Sequence, residues 1–336
     1  MKTIIATLVL GVVCQTTQFN SPLKMTSGLF GTLVDSVAIS SDGEYVAAGL
    51  FVGDEVIIWS LPQKRVVARF DARVCDLFPQ HIAFLDDNPV LTTASDIGGV
   101  ADYDLVTKHV TLLRKPQVKI QYFCPDLLAR GKIAEQISDH SVMITGLSNL
   151  NQTWTWHDHR PFDDAVVSFD GSHVVALSQS EVTFVDVPSR QTRTVKVSDE
   201  LHNIGMDHAV SSDGSRLVIQ GFAGKDYHIF LLDKQFNYQP RPIISDMRFR
   251  PTIVLLSRDG QKLAMNDGER NIDVYQIPQD GTQARLIGNI EIHQENDEIE
   301  AAQFAPDGMS VAVGTLRGDV VIYRLQDRTT LTLKSR

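Results

Sequence analysis

The sequence is short of the residues and signatures that would announce a chemistry. Cysteine occurs three times in 336 residues, at Cys14, Cys75 and Cys124, with no C-x-x-C and no spacing of the metal-binding kind. Cys75 falls in the stretch leading into a second repeat unit, and Cys124 at the far end of an inner strand. That would put them on opposite faces, too far apart for a disulfide. No run of Lys and Arg exceeds two residues, and the formal net charge is −10. A nucleic-acid binder needs a basic face to displace counterions, so the balance argues against that class of partner. An acidic surface is first of all a solubility feature. No G-x-S-x-G elbow, H-E-x-x-H, P-loop or dinucleotide-type glycine run is present. The sequence therefore nominates no reaction and no cofactor. Neither a Pro/Ser-rich linker nor a low-complexity tract divides the chain.

What is present is a repeat. EVIIWSL (55–61), GVADYDL (99–105), SVMITGL (141–147), EVTFVDV (181–187), HIFLLDK (228–234), NIDVYQI (271–277) and DVVIYRL (319–325) align with Val or Ile at the second position. Apolar residues alternate, the period of a packed strand, and β-branched and aromatic residues suit that surface. A second marker runs in phase: Asp42-Gly43, Asp170-Gly171, Asp213-Gly214, Asp259-Gly260 and Asp307-Gly308. Each is a tight-turn pair, Asp capping with its side chain and Gly taking positive φ. Asp87-Asn88-Pro89 and Pro125-Asp126 stand as weaker copies. The markers recur about every 44 residues, the period of four-stranded propeller blades. Each unit reads as an inner strand, the turn, a second strand, the recurrent third strand and an outer strand. One such sheet leaves both faces exposed; stacked radially between two neighbours, it buries them. Small residues in the second strands (Ala47, Ala48, Gly49, Ala176, Ala312, Gly314) suit close packing of twisted sheets. The expectation is an all-β, seven-bladed β-propeller of four-stranded antiparallel sheets, one domain over residues 23–336.

Residues 314–323, GTLRGDVVIY, and 29–43, LFGTLVDSVAISSDG, resemble WD-repeat blades, of the WD40 or YVTN type. The resemblance spans nearly the whole of 23–336. It is degenerate: Trp59-Ser60, Tyr103-Asp104 and Val185-Asp186 stand where the Trp-Asp pair would be, and Gly31-Thr32 replaces the Gly-His pair.

Residues 1–14, MKTIIATLVLGVVC, hold one Lys and then about a dozen apolar residues, too few for a helix to span a bilayer. They match the n- and h-regions of a secretory signal. That expects a periplasmic or extracellular protein with no integral membrane segment in the mature chain. Cys14 raises a lipid anchor as a variant of this reading, although Val13 stands where a small residue is usual. Read instead as a first strand, the segment would leave the protein in the cytoplasm. At the other end, TTLTLKS (329–335) and residues 23–29 compete for the outer place in blade seven.

Candidate site residues follow from the expected topology. Loops between second and third strands share a face with the loops joining blades, and carry Asp54, Asp96, Lys225, Asp226, Asp267, Glu269, Arg270 and Arg317. Propellers recognise partners with loop tips, so these are the candidate binding residues, each equally readable as an ordinary turn residue. His157-Asp158-His159 has the most metal-like spacing, but a third ligand is not visible and a solvated turn is the plainer reading. His202 and His208 flank the next connecting loop on the same rim. Asp102 and Asp104 sit on a strand, where a hydrogen-bonded carboxylate is the plain reading. The function expected is a non-catalytic binding propeller for a protein or peptide, without cofactor. The alternative is a propeller enzyme, lactonase- or dehydrogenase-like, with its site at the mouth of the central channel.

Overall fold

The computed structural model describes residues 33–335, apart from 52–54, 73–80, 85–89, 96–97, 116–125, 129–130, 148, 150–151, 179, 198–207, 224–225, 268–269 and 293–296. The expected architecture is what the chain forms. Seven four-stranded sheets follow one another, each with its strands in sequence order. The recurrent segment is the third strand of each blade: Glu55–Ser60, Val100–Asp104, Ser141–Gly146, Glu181–Asp186, Asp226–Asp233, Asn271–Gln276 and Val320–Arg324. The innermost strands are Val34–Ile39, His81–Phe84, Asp126–Leu128, Asp164–Val167, His208–Val210, Val254–Leu256 and Ile299–Phe304. Each touches the next, and the last meets the first, so the row closes into a ring.

The core is divided among the seams. Seven apolar clusters each fill the space between neighbouring blades. Alternation explains the division: in blade one, Ile57 and Trp59 pack toward blade seven, while Val56 and Ile58 pack toward blade two. Completely buried side chains such as Ile57, Ile58 and Leu231 each contribute roughly 1.5–3 kcal/mol. The cluster between blades two and three is the smallest. There a buried ion pair crosses the seam, Arg114 donating to Glu135, and Arg114 Nε also donates to Gly98 O at 2.6 Å.

The turns after the innermost strands share one chemistry. Ser40 Oγ donates to Asp42 Oδ1 at 2.6 Å and accepts from Tyr45 N at 2.9 Å. Ser168/Asp170, Ser211/Asp213 and Ser257/Asp259 repeat it. The following Gly takes φ of +65 to +70° in five blades, where any Cβ is strained. Adjacent turns also bond to one another: Asp170 N donates to Ser212 O at 3.0 Å, and Ser212 N to Arg258 O at 2.9 Å.

Blade three departs from expectation. Pro125-Asp126 is not its turn, because Asp126 begins the innermost strand; Gly131, at φ +60°, supplies the turn instead. Residues 132–138 are its second strand, paired antiparallel with Ser141–Gly146. Cys75 and Cys124, and residues 1–14 and 23–29, lie outside the described residues.

The competition for the outer place in blade seven goes to Thr329–Leu333, paired along Val320–Arg324. Side chains then fasten the ring. Trp59 Nε1 donates to Lys334 O at 3.2 Å, and Arg69 donates to Ser335 O at 2.5 Å. Gly314 lets the seam close, since a Cβ there would meet Val34 Cγ1 at 2.3 Å.

Candidate binding face around the channel mouth

Sequential antiparallel order puts the loops after first and third strands on one face of the disc. The loops after second and fourth strands lie on the other face, with the starts of the innermost strands. The second face is where the described candidates, Asp226, Asp267, Arg270 and Arg317, fall. Asp226 begins the third strand of blade five, opposite Ala223. Asp267 is occupied in closing its own loop: its carboxylate accepts from Asn271 N at 3.2 Å and Asn271 Nδ2 at 2.6 Å. Arg270 and Arg317 are exposed on neighbouring blades. Their backbones are pinned, Arg270 O accepting from Ile292 N at 3.1 Å and Arg317 N donating to Asp297 Oδ1 at 3.1 Å. Asp54, Asp96, Lys225 and Glu269 lie outside the described residues, as does His202.

The two histidines of His157-Asp158-His159 do not converge. His157 Nδ1 pairs with Ser141 Oγ at 2.8 Å, and its ring lies 5.7 Å from that of His140. His159 is 85 % exposed in its side chain and pairs through Nδ1 with Asp158 at 3.0 Å. Among the described residues, no group of three or more His, Cys, Asp or Glu is arranged to hold a metal ion. Asp102 accepts from Thr92 Oγ1 at 2.6 Å inside blade two, and Asp104 accepts from Val106 N and Thr107 N in a turn.

The structure adds a group that the sequence reading passed over. Glu300 lies near the start of the innermost strand of blade seven, and Asp35 holds the equivalent place in blade one. Each is the extra residue of a bulge: Val34 faces Leu50 and Ser36 faces Gly49, as Ile299 faces Thr315 and Ala301 faces Gly314. Bulges re-aim side chains, and these two occur on adjacent strands at the ring's closing seam. Asp297 and Glu298 immediately precede the strand. Asp297 is fully buried; its Oδ1 holds Arg317 N, while its Oδ2 has no hydrogen-bond partner. Burial first, then the charges of Glu298, Asp35 and Asp297, push Glu300 up to about 7. The available signal was the run ENDEIE, residues 295–300, which sets four acids within six residues at the entry to an inner strand.

A second titratable pair lies at the seam of blades four and five. His208 Nδ1 is 4.0 Å from Asp164 Oδ2, the histidine buried and the aspartate half-buried, and that nitrogen has no hydrogen-bond partner. Burial raises Asp164 above the ordinary carboxylate range, partly offset by His208 and by the hydrogen bond from Ala165 N.

No protein-family model matches the chain, and no curated protein does. Solved structures do match. One is a Kuenenia stuttgartiensis hydrazine synthase chain: TM-score 0.61, 12 % identity, covering 94 % of this chain and 99 % of that one. Another is the β-propeller domain of Myceliophteria thermophila Cps50 (Swd1): TM-score 0.56, 15 % identity, covering 76 % and 86 %. At such identities the likeness shows the fold. The class of protein is thus a seven-bladed β-propeller. Among the described residues, no helix is long and apolar enough to cross a membrane.

Proposed function

We propose that this chain is a binding propeller that presents the connecting-loop face and channel mouth to a protein or peptide partner. The observation that supports this most directly is the contrast in how the two faces use their carboxylates. On the turn face they are consumed in closing turns; at the mouth Glu300 is crowded by Glu298, Asp35 and Asp297. Arg317 stands on the rim next to Asp297, and Arg270 holds the corresponding place in blade six. Charge reversal at both, in a pull-down from the native host, should reduce partner recovery; undiminished recovery would count against this rim. Export belongs to the same proposal, resting on the signal-like residues 1–14. N-terminal sequencing of native protein should find them gone, and a retained Met1 would end that part.

A second reading, a propeller enzyme working at the channel mouth, draws its support from the Asp164–His208 pair. A screen of lactone and ester hydrolysis with wild type and His208→Gln tests it. Turnover abolished by that substitution in a folded protein would favour the enzyme, and no turnover by wild type would count against it.

A further inference from the structure

Within the binding reading, we infer that the closing seam between blades seven and one is a subsite for a cationic side chain, arginine or lysine, of a peptide partner. Three observations support it. Asp35 and Glu300 are both placed by one-residue bulges at matching points of adjacent innermost strands, so two separate irregularities deliver acids to one place. Asp297, wholly buried, has one carboxylate oxygen engaged by the backbone of the rim residue Arg317 and the other without a partner. A buried carboxylate oxygen with no donor is destabilising unless something supplies one. Third, Glu298 stands exposed beside it, extending the acidic surface toward solvent.

The occupant's chemistry follows from the spread of these groups. They do not form a compact three-ligand set for a metal ion. They are acceptors distributed over two strands and a loop, which suits a guanidinium with five donors or an ammonium with three. The Arg317 backbone bond ties the subsite to the rim, so a peptide lying across the rim would reach it with one side chain.

The test uses the full chain as bait for a random peptide display library. Selected peptides are resynthesised with a label and titrated against wild type, Glu300→Gln, Glu300→Gln/Asp297→Asn, and Glu44→Gln, an exposed acid on the turn face. The expected result is enrichment of Arg- or Lys-bearing peptides, with affinity lowered about tenfold or more by the mouth substitutions and unchanged by Glu44→Gln. Glu300→Gln alone leaves the Asp297–Arg317 bond intact, and keeps the test decisive if the double variant does not fold. Enriched peptides without Arg or Lys, or basic ones indifferent to Glu300→Gln, would overturn the subsite while leaving the binding face standing. No enrichment at all would overturn both. Spermine, titrated alone, binding tighter than every selected peptide would reassign the site to a small polyamine and overturn the peptide assignment.

Discussion

The aspartates of the turn face and the acids at the start of two innermost strands, Asp164 in blade four and Glu300 in blade seven, sit in opposite surroundings. On the turn face, Asp213 and Asp259 feel burial pushing their pKa up. It is outweighed by bonds from Ser211 and Ser257 and from the backbone at Ser215 and Gln261, so both end below the ordinary value. Asp104, Asp186, Asp280 and Asp327 are likewise held low, chiefly by bonds from Thr107, Ser189, Thr282 and Thr329. At the mouth, Asp164 and Glu300 are raised. A carboxylate held low by local donors is part of the scaffold. One pushed up by burial and like charge is a standing destabilisation, which makes it a candidate for recognition.

The sharpest way to break the turn face is Gly214→Ala. It forces a Cβ at φ +69° to within 2.4 Å of His173 Cβ. A loss of about 2–4 kcal/mol is expected from left-handed strain plus the clash. Gly43→Ala separates the two causes, since its φ is also +69° but nothing lies within 4 Å; about 1 kcal/mol should suffice there. Urea denaturation of both variants gives the difference. Equal losses would mean that the His173 contact relaxes freely.

Next in size, Asp259→Ala removes the acceptor of Ser257 Oγ at 2.6 Å and Gln261 N at 3.0 Å. It should cost about 1–2 kcal/mol at neutral pH. Because the folded state holds this carboxyl below 3.8, the wild-type advantage is present above that value and lost as pH falls through the folded pKa. Melting temperatures of the two proteins should therefore converge in acid.

The smallest effect has the opposite sign. Glu300 is raised from 4.5 to about 7 in the folded protein. Its contribution is most favourable below pH 4.5 and is lost as pH rises through about 7. Glu300→Gln should thus be the more stable protein at pH 8, by about 1 kcal/mol after allowance for solvent screening, with the gain gone near pH 4. A gain that did not vary with pH would show that the carboxyl is not crowded by Asp35, Asp297 and Glu298. The contrast between the faces would then weaken.

Legibility in the sequence divides along the same line. The third strands and the Asp-Gly turns were readable because each is a local device repeated in phase: alternation needs two residues of context, and a turn needs four. Blade three was misread where the device changes, Gly131 turning the chain without an Asp-Gly pair and Asp126 starting a strand. At the rim, Arg270 and Arg317 are exposed. Asp267, equally plausible as a recognition group, is spent on Asn271. The closing-seam acids went unremarked because Asp35 and Glu300 lie 265 positions apart in the sequence, and only the bulges and ring closure make them neighbours.

Sequence alone determined that this chain is seven copies of a small antiparallel sheet, since a repeat whose units cannot bury their own faces has few ways to fold other than against each other. Tertiary structure decided which end completes blade seven and which residues meet at the mouth. Those outcomes depend on contacts between the first and last blades, and such contacts have no local pattern to announce them.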